Sequence, residues 1–247
     1  MGEQLDLLAV AAHPDDAELG CGGTLLLAVG AGARVGIADL TRGEAATLGN
    51  RDLRDDERRR AAEILGLAAR PCVGLPDTSV GTSPAHREAV VQLIREVRPR
   101  VVLAPFPHDR HPDHAAAGRL VREASFLAGL PGVGRGRPHR PDRVFHYMLH
   151  HTFEPSFVVD VSSVWERKLE AIEAYRSQFG PPSPGQEAVI DVGRFLEVMK
   201  ARATVLGAMI GARFGEGFFS SGPVGLSALP GLDGGRGPAE LGYQLFS

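Results

Sequence analysis

Two short motifs in this sequence combine imidazole and carboxylate groups with a proline. The first is HPDD at residues 13–16, called here the HPDD turn, and the second is HPDH at residues 111–114, the HPDH turn. Each follows an apolar run, at residues 5–12 and 100–106. Such runs without polar alternation are typical of strands buried on both faces of a parallel sheet. Because ligands of open parallel sheets bind outside the carboxyl ends of strands, we expect both turns to lie at one edge.

The HPDD turn places a spare acid beside a pair of metal-ligand types. Pro14 disfavours helical geometry at His13, so we expect His13 at the strand tip and Pro14 in the first helical turn. Positions three apart can face one target, so His13 and Asp16 can share a metal ion while Asp15 stays free to act as a base. The alternative is an ordinary helix start, with Asp15 as the N-cap and Asp16 favoured by the helix dipole.

The HPDH turn would complete such a site. With His114, the metal would have two imidazoles, one carboxylate and at least one open position, which is typical of catalytic zinc. His111 lies three residues earlier and can face the same cavity, and Asp113 can fix the tautomer of a neighbouring imidazole. A surface histidine is the alternative at each position. That alternative explains poorly why two such motifs each follow a buried strand.

Alternating strand and helix patterns predict an α/β fold with a mostly parallel sheet. Strands are predicted at residues 5–12, 34–41, 71–75, 100–106, 143–149 and 157–161, and helices at residues 17–32, 51–65, 84–97, 115–130, 162–179 and 191–210. Ser162 is the predicted cap of the fifth helix. The segments 131–142 and 180–186 are predicted loops, and the chain is predicted to be irregular from about residue 211. No composition break divides residues 1–247, so we expect a single domain.

Two groups of residues have structural interpretations at this point. The glycines at residues 20, 22 and 23 follow the HPDD turn, whereas a phosphate-binding fingerprint would stand between strand and helix. They therefore favour close helix–sheet packing. His150 and His151 end a predicted strand and could line a pocket, but ordinary loop histidines are the favoured interpretation.

Composition excludes several classes of partner. The 247 residues carry a net charge of −3, which predicts neither nucleic acid nor a membrane surface as partner. No signal peptide or apolar stretch of membrane-spanning length is apparent. Cys21 and Cys72 match neither a disulfide framework nor a CxxC motif, and Cys21 is interpreted as a buried filler. These features predict a cytoplasmic, reducing location.

The segments AHPDDAELGCGG and DRHPDH resemble the two signatures of the LmbE-like (PIG-L) zinc-dependent N-deacetylases. The segments LTRGE, LRDDERRRAAEILG, LPD, AYRSQF and EGFF extend the resemblance over residues 5–220. The resemblance implies a Rossmann-like three-layer sandwich and a Zn²⁺ cofactor, for which Fe²⁺ could substitute. Within the family, the chain looks most like the bacillithiol-pathway enzymes that remove acetate from N-acetylglucosaminyl-malate. Those enzymes are often hexamers, which implies a homo-oligomer.

The resemblance also implies residue roles. The zinc ligands fall on His13, Asp16 and His114. The general base falls on Asp15. The histidine that stabilises the oxyanion and can serve as the acid falls on His111, with Asp113 beside it. We further expect the Asp113 charge to keep His111 protonated. Arg54 and Arg110 match substrate-positioning arginines, which would suit a malyl carboxylate. The alternative for Arg54 is a solvated helix face, and for Arg110 an ion pair with a nearby aspartate.

Three rival functions stay open. The first is a deacetylase of another N-acetyl sugar conjugate, such as an inositol glycoside or chitobiose. The second is an iron oxygenase with two histidines and one carboxylate as ligands. The third is a non-catalytic nucleotide-binding Rossmann module, which predicts NAD binding at Gly20–Gly23 and no metal.

Overall fold

A computed structural model describes residues 4–45, 51–180 and 192–226. The loop predicted at residues 180–186 lies almost wholly outside these described residues, as does most of the Gly-rich tail at 222–238. In the described part, the strands are β1 (Leu7–Ala11), β2 (Val35–Asp39), β3 (Val101–Pro105), β4 (Arg143–Tyr147), β5 (Phe157–Asp160) and β6 (Gly215–Phe219). The helices are α1 (Asp16–Gly30), α2 (Arg51–Leu65), α3 (Pro84–Val97), α4 (Pro112–Leu127), α5 (Trp165–Glu173), α6 (Arg176–Phe179) and α7 (Val192–Ala208).

The strands form one sheet in the order β2-β1-β3-β4-β6-β5. The pairs β1–β2, β1–β3 and β3–β4 are parallel, and β6 is antiparallel to both β4 and β5. The predicted mostly parallel α/β sheet is therefore confirmed. The chain leaves β1 toward β2 on one side and returns as β3 on the other. The carboxyl ends of β1 and β3 therefore flank a topological switch point, where ligands of such folds bind.

Both faces of the sheet are covered, which gives the three layers. Alternate β1 residues Leu7, Ala9 and Ala11 pack in a core that includes residues of α1, α5 and α7. Leu8, Val10 and Ala12 pack in a second core, on the side of α3 and α4. Every residue of β1 is buried, which explains its uninterrupted apolar sequence.

Three predicted elements are wrong. Residues 71–75 form no strand: isolated bridges pair Ala69 and Cys72 with β2, and Pro71 between them lacks an N–H to extend the ladder. The predicted irregular segment after residue 211 contains β6, whose glycines hid its strand pattern. The helix predicted at residues 162–179 is a 3₁₀ turn followed by α5 and α6. Ser162 caps neither helix, because its Oγ accepts the N–H groups of Arg213 and Phe214.

The glycines after the HPDD turn sit against the sheet. A Cβ at Gly20 would overlap the Tyr147 ring, and one at Gly23 would lie 2.7 Å from Val161. This supports the packing interpretation of these glycines. Both cysteines are free thiols, and Cys21 is fully buried. Within the described residues, no helix combines the length and apolar character needed to cross a membrane.

Candidate metal centre and active site

The two turns meet where β1 and β3 end side by side. One ligand atom from each of His13, Asp16 and His114 lies within 4.8 Å of the others. The His114 Nε2 is 3.1 Å from one Asp16 oxygen, and the His13 Nδ1 is 3.5 Å from the other. Asp16 and His114 are buried, with 4% and 3% exposure. A buried carboxylate between two imidazoles is a donor set that fits a divalent transition metal.

The outer ring nitrogens of both histidines face further carboxylates. The His13 Nε2 lies 3.1 Å from Asp77 Oδ1 and 3.2 Å from Asp113 Oδ2. The His114 Nδ1 lies 3.2 Å from Asp109 Oδ1. Carboxylates in this position fix the tautomer and orientation of an imidazole ligand and increase its basicity. The carboxylates behind the two histidines therefore also fit a metal site, in addition to the ligands themselves.

Sequence reasoning missed Asp109 and Asp77. Asp109 organises the HPDH turn: besides His114, its carboxylate accepts the backbone N–H groups of His111, His150 and His151, each at 2.9 Å. Asp77 accepts the N–H of Ala45 at 2.8 Å while facing His13. Both stand in the segments DRHPDH and LPD, which carry the family resemblance, and that was the available signal.

Asp15 is held apart from the metal-binding group. It occupies the N-cap position of α1, yet its side chain makes no capping hydrogen bond, so the ordinary helix-start interpretation does not hold. Its φ of 102° is a left-handed conformation that costs energy for a residue with a Cβ. Arg54 Nη2 lies 3.4 Å from the Asp15 carboxylate and donates to the Pro14 carbonyl at 2.9 Å. Helix α1 begins at Asp16, so Pro14 stands before the helix. The prediction that Pro14 lies in the first helical turn is therefore wrong.

The electrostatics of the site reflect this crowding of charges. Burial raises the pKa of Asp15 to about 7, although the Arg54 charge opposes the shift. Burial disfavours the charged form of His13, but hydrogen bonds to Asp16 and Asp77 outweigh it and raise its pKa to about 11. Burial likewise opposes protonation of His114, but the Asp16 and Asp109 carboxylates raise its pKa to about 9. A bound cation would replace these imidazole protons.

The contact between His111 and Asp113 is not the one predicted. The Asp113 backbone N–H donates to His111 Nδ1 at 3.2 Å, and the Asp113 carboxylate faces His13 and accepts the N–H groups of Thr78 and Val80. Burial and the charges of His114 and His13 lower the pKa of His111. The Asp113 carboxylate therefore contacts His13 and not the His111 ring, and the role of Asp113 in keeping His111 protonated stays a prediction. Asp113 lies in the first turn of α4, and its carboxylate contacts His13 of the HPDD turn.

A cavity of about 360 Å³ opens above the metal-binding group. Arg54 lines it and is only 5% exposed, so its solvated-face interpretation is wrong. His150 also lines it and stacks on His114 with ring centroids 5.3 Å apart, which overturns its interpretation as a loop histidine.

His151 and Arg110 are exposed and do not line the described cavity wall, and the substrate role of Arg110 stays a prediction. The remaining wall includes Leu19, Gln178, Phe179, Val192 and Phe195.

Comparisons with known proteins show the family of the chain. The family described as PIG-L, GlcNAc-PI de-N-acetylase, matches residues 8–125. The diacetylchitobiose deacetylase of Thermococcus kodakarensis is 34% identical over 85% of this chain and 81% of the relative. A probable N-acetyl-alpha-D-glucosaminyl L-malate deacetylase 2 of Bacillus cereus is 29% identical over 70% and 83%. The conserved protein TT1542 of Thermus thermophilus superposes with a TM-score of 0.85 at 42% identity, covering 92% of this chain and 99% of that one. The chain therefore belongs to the PIG-L (LmbE-like) family of deacetylases.

Proposed function

We propose that this protein is a metal-dependent hydrolase that removes acetate from a small N-acetylglucosamine conjugate. One observation carries the proposal. Asp15 stands beside the group formed by His13, Asp16 and His114, at the floor of a cavity, without itself belonging to that group. A free carboxylate next to a cation site is what the hydrolysis of an amide by water requires.

The metal would be held by His13, Asp16 and His114, and Zn²⁺ is the proposed ion because its catalytic sites use three such ligands. Fe²⁺ could occupy the same donors. When bound, a divalent ion supplies polarisation of the amide carbonyl and acidification of a water molecule. Asp77, Asp113 and Asp109 would orient the two imidazoles from behind.

Asp15 is the proposed general base. Its carboxylate lines the cavity, and its backbone is held by the hydrogen bond from the Leu19 N–H to the Asp15 carbonyl at 3.0 Å. Arg54 restrains the carboxylate from the other side. Asp15 would accept a proton from the attacking water as the new C–O bond forms. It could then return the proton to the sugar nitrogen as the C–N bond breaks, which releases acetate and a free amine.

His111 is the proposed oxyanion donor. Its Nδ1 accepts the Asp113 N–H, so a neutral ring carries its proton on Nε2. The ring stacks on His114 with centroids 4.4 Å apart and lines the cavity. The Nε2–H would donate to the carbonyl oxygen as negative charge develops there, as donors of an oxyanion hole do.

The cavity wall favours a neutral conjugate as substrate. Opposite the acids stands an apolar side where the rings of Phe179 and Phe195 lie 6.0 Å apart, a surface suited to the apolar face of a sugar. Within the described wall, Arg54 is the one guanidinium, and Asp15 and the Pro14 carbonyl already occupy it. A neutral glycoside such as a chitobiose or inositol conjugate is therefore the first candidate. N-acetylglucosaminyl-malate is the second, and its malyl carboxylate would have to compete with Asp15 for Arg54.

Acetate release from a substrate panel tests the proposal. The panel contains diacetylchitobiose, N-acetylglucosaminyl-malate and an N-acetylglucosaminyl-inositol, each assayed with and without a chelator. We expect chelator-sensitive acetate release, fastest with a neutral member. Oxygen consumption without acetate release would favour the oxygenase, and NAD binding by a metal-free protein would favour the nucleotide-binding module.

A further inference from the structure

Helix α1, which carries the metal-binding Asp16, is divided in two. Cys21 has a φ of −147° and a ψ of 15°, outside the helical region, so the helix comprises a short segment at residues 16–20 and a longer one at 22–30. The break leaves backbone groups without helical partners on both sides, carbonyls at the end of the short segment and N–H groups at the start of the long one. Burial makes the missing hydrogen bonds costly.

Two buried charged side chains fill this break. Glu216 of β6 accepts the backbone N–H groups of Gly23 and Thr24, each at 2.8 Å, and the Thr24 hydroxyl at 2.6 Å. Lys168 of α5 donates to the Leu19 carbonyl at 2.9 Å and to Glu216 at 2.6 Å. Lys168 and Glu216 are 2% and 4% exposed. Each charge thus stands at the helix end that its sign favours.

The Lys168 contact leads to the proposed base through one residue. Lys168 holds the carbonyl of Leu19, and the N–H of the same Leu19 donates to the Asp15 carbonyl at 3.0 Å. The segment between them is a single helical turn that includes Asp16. A shift of the Leu19 carbonyl would therefore change the orientation of Asp15 and Asp16 together.

We propose that Lys168 and Glu216 are positioning residues that set the orientation of the HPDD turn from within the break in α1. The proposal rests on the proposed function for the roles of Asp15 and Asp16. A buried ion pair can also be merely structural, and then its removal would lower stability alone. Metal affinity, measured apart from stability and activity, separates these two roles.

The central test uses the paired variant Lys168→Met/Glu216→Gln, in which no unpaired charge is left buried. Co²⁺ serves as the probe, with its affinity and visible absorption measured alongside kcat and KM. We expect Co²⁺ to bind about tenfold more weakly, as on loss of other outer contacts to a metal site, with an altered absorption spectrum and a lower kcat at similar KM. Wild-type Co²⁺ affinity and kcat in a folded paired variant would overturn the proposal.

Arg95→Met is the matched control. Arg95 is also a buried cation, 5% exposed, and donates to backbone carbonyls that include those of Ala128 and Leu130, away from the HPDD turn. We expect it to lower stability and leave Co²⁺ affinity unchanged. Equal losses of Co²⁺ affinity in both variants would contradict a role specific to Lys168 and Glu216.

The test also covers a paired variant that does not fold and a wild-type protein without deacetylase activity. If the paired variant does not fold, Thr24→Val removes one hydrogen bond to Glu216 and keeps both charges. We then expect Co²⁺ to bind two- to threefold more weakly, because only part of the free energy of one hydrogen bond would be transmitted to the metal site. An unchanged Co²⁺ affinity would overturn the proposal. A wild-type protein that binds Co²⁺ but releases no acetate from any conjugate contradicts the proposed function and leaves this positioning test valid.

Discussion

The HPDD and HPDH turns share three letters and the same place after a buried strand, yet their backbones differ. In the HPDH turn, α4 begins at Pro112, and His111 is an N-cap of ordinary φ (−77°) whose ring accepts the Asp113 N–H. In the HPDD turn, α1 begins two positions later, at Asp16, and Asp15 is the N-cap with φ 102° and no capping bond. The same motif thus gives a relaxed helix start in one place and a strained one in the other.

The two helix starts differ in whether the N-cap side chain is bonded to the helix. A relaxed start commits the side chain at the N-cap to the helix, as with His111 Nδ1. The strained start leaves the Asp15 carboxylate without a hydrogen bond to the helix and in the cavity wall, where contacts from outside the helix hold it. Those contacts come from Arg54 on one side and from Lys168 through Leu19 on the other. Backbone strain is frequent at catalytic positions, where contacts from the surrounding structure maintain it.

The largest expected effect comes from the two neighbouring acids of the HPDD turn. We expect Asp15→Asn to lower kcat about 10³-fold with Co²⁺ affinity retained, because loss of a general base removes proton transfer alone. We expect Asp16→Asn to abolish stoichiometric metal binding, because it removes a charged ligand. Metal titration and acetate release on both variants give the comparison. Full activity of Asp15→Asn would remove Asp15 as the base, and two identical profiles would erase the distinction between the acids.

The next effect tests the HPDH turn. We expect His111→Gln to lower kcat about 10²-fold with metal affinity retained, because one donor to the oxyanion is lost. His150→Gln is the matched control, since His150 also stacks on His114 but has no proposed catalytic role. Comparable losses of kcat in the two variants would show that stacking on His114, and not hydrogen-bond donation, accounts for the effect.

Asp109→Asn gives an intermediate effect on the metal. Asp109 faces the outer nitrogen of His114 and also accepts the N–H groups of the HPDH turn. We expect metal affinity to fall about 10- to 100-fold, as on loss of other carboxylates behind imidazole ligands. Retained affinity, measured by competition with a chelator, would limit Asp109 to a structural role in the turn.

The smallest expected effect is on stability. A Cβ at Gly20 would overlap the Tyr147 ring, whereas one at Gly30 would meet nothing within 4 Å. We expect Gly20→Ala to lower the free energy of unfolding by about 1–3 kcal/mol through overpacking. We expect Gly30→Ala, in the same helix, to leave it unchanged or raise it by less than about 1 kcal/mol. Denaturant unfolding measures both, and equal effects would refute the close-packing role of Gly20.

The sequence predicted the sheet and the meeting of the two turns because both depend on local, strongly patterned signals. Uninterrupted apolar runs identify β1 and β3, and parallel strands bring their carboxyl ends together. Antiparallel β6 was missed because GEGFF has two glycines in five residues. The strand predicted at residues 71–75 has a short apolar pattern. In the structure this region pairs with β2 only through isolated bridges at Ala69 and Cys72.

Side-chain partners across the fold were beyond sequence reasoning. Asp109 and Asp77 face imidazoles through tertiary geometry that no spacing shows. Arg54 is one of several arginines on α2, and periodicity alone could not tell that it turns inward to Asp15. The single-domain organisation, the cytoplasmic location, the homo-oligomer and the substrate role of Arg110 stay predictions.

Anomalous X-ray diffraction from crystals loaded with Zn²⁺ tests the central claim most directly. We expect one strong peak within about 2.0–2.2 Å of ring nitrogens of His13 and His114 and an oxygen of Asp16, with the Asp15 carboxylate uncoordinated. A peak bound by Asp15, or one seated between His13, Asp77 and Asp113 instead, would contradict it.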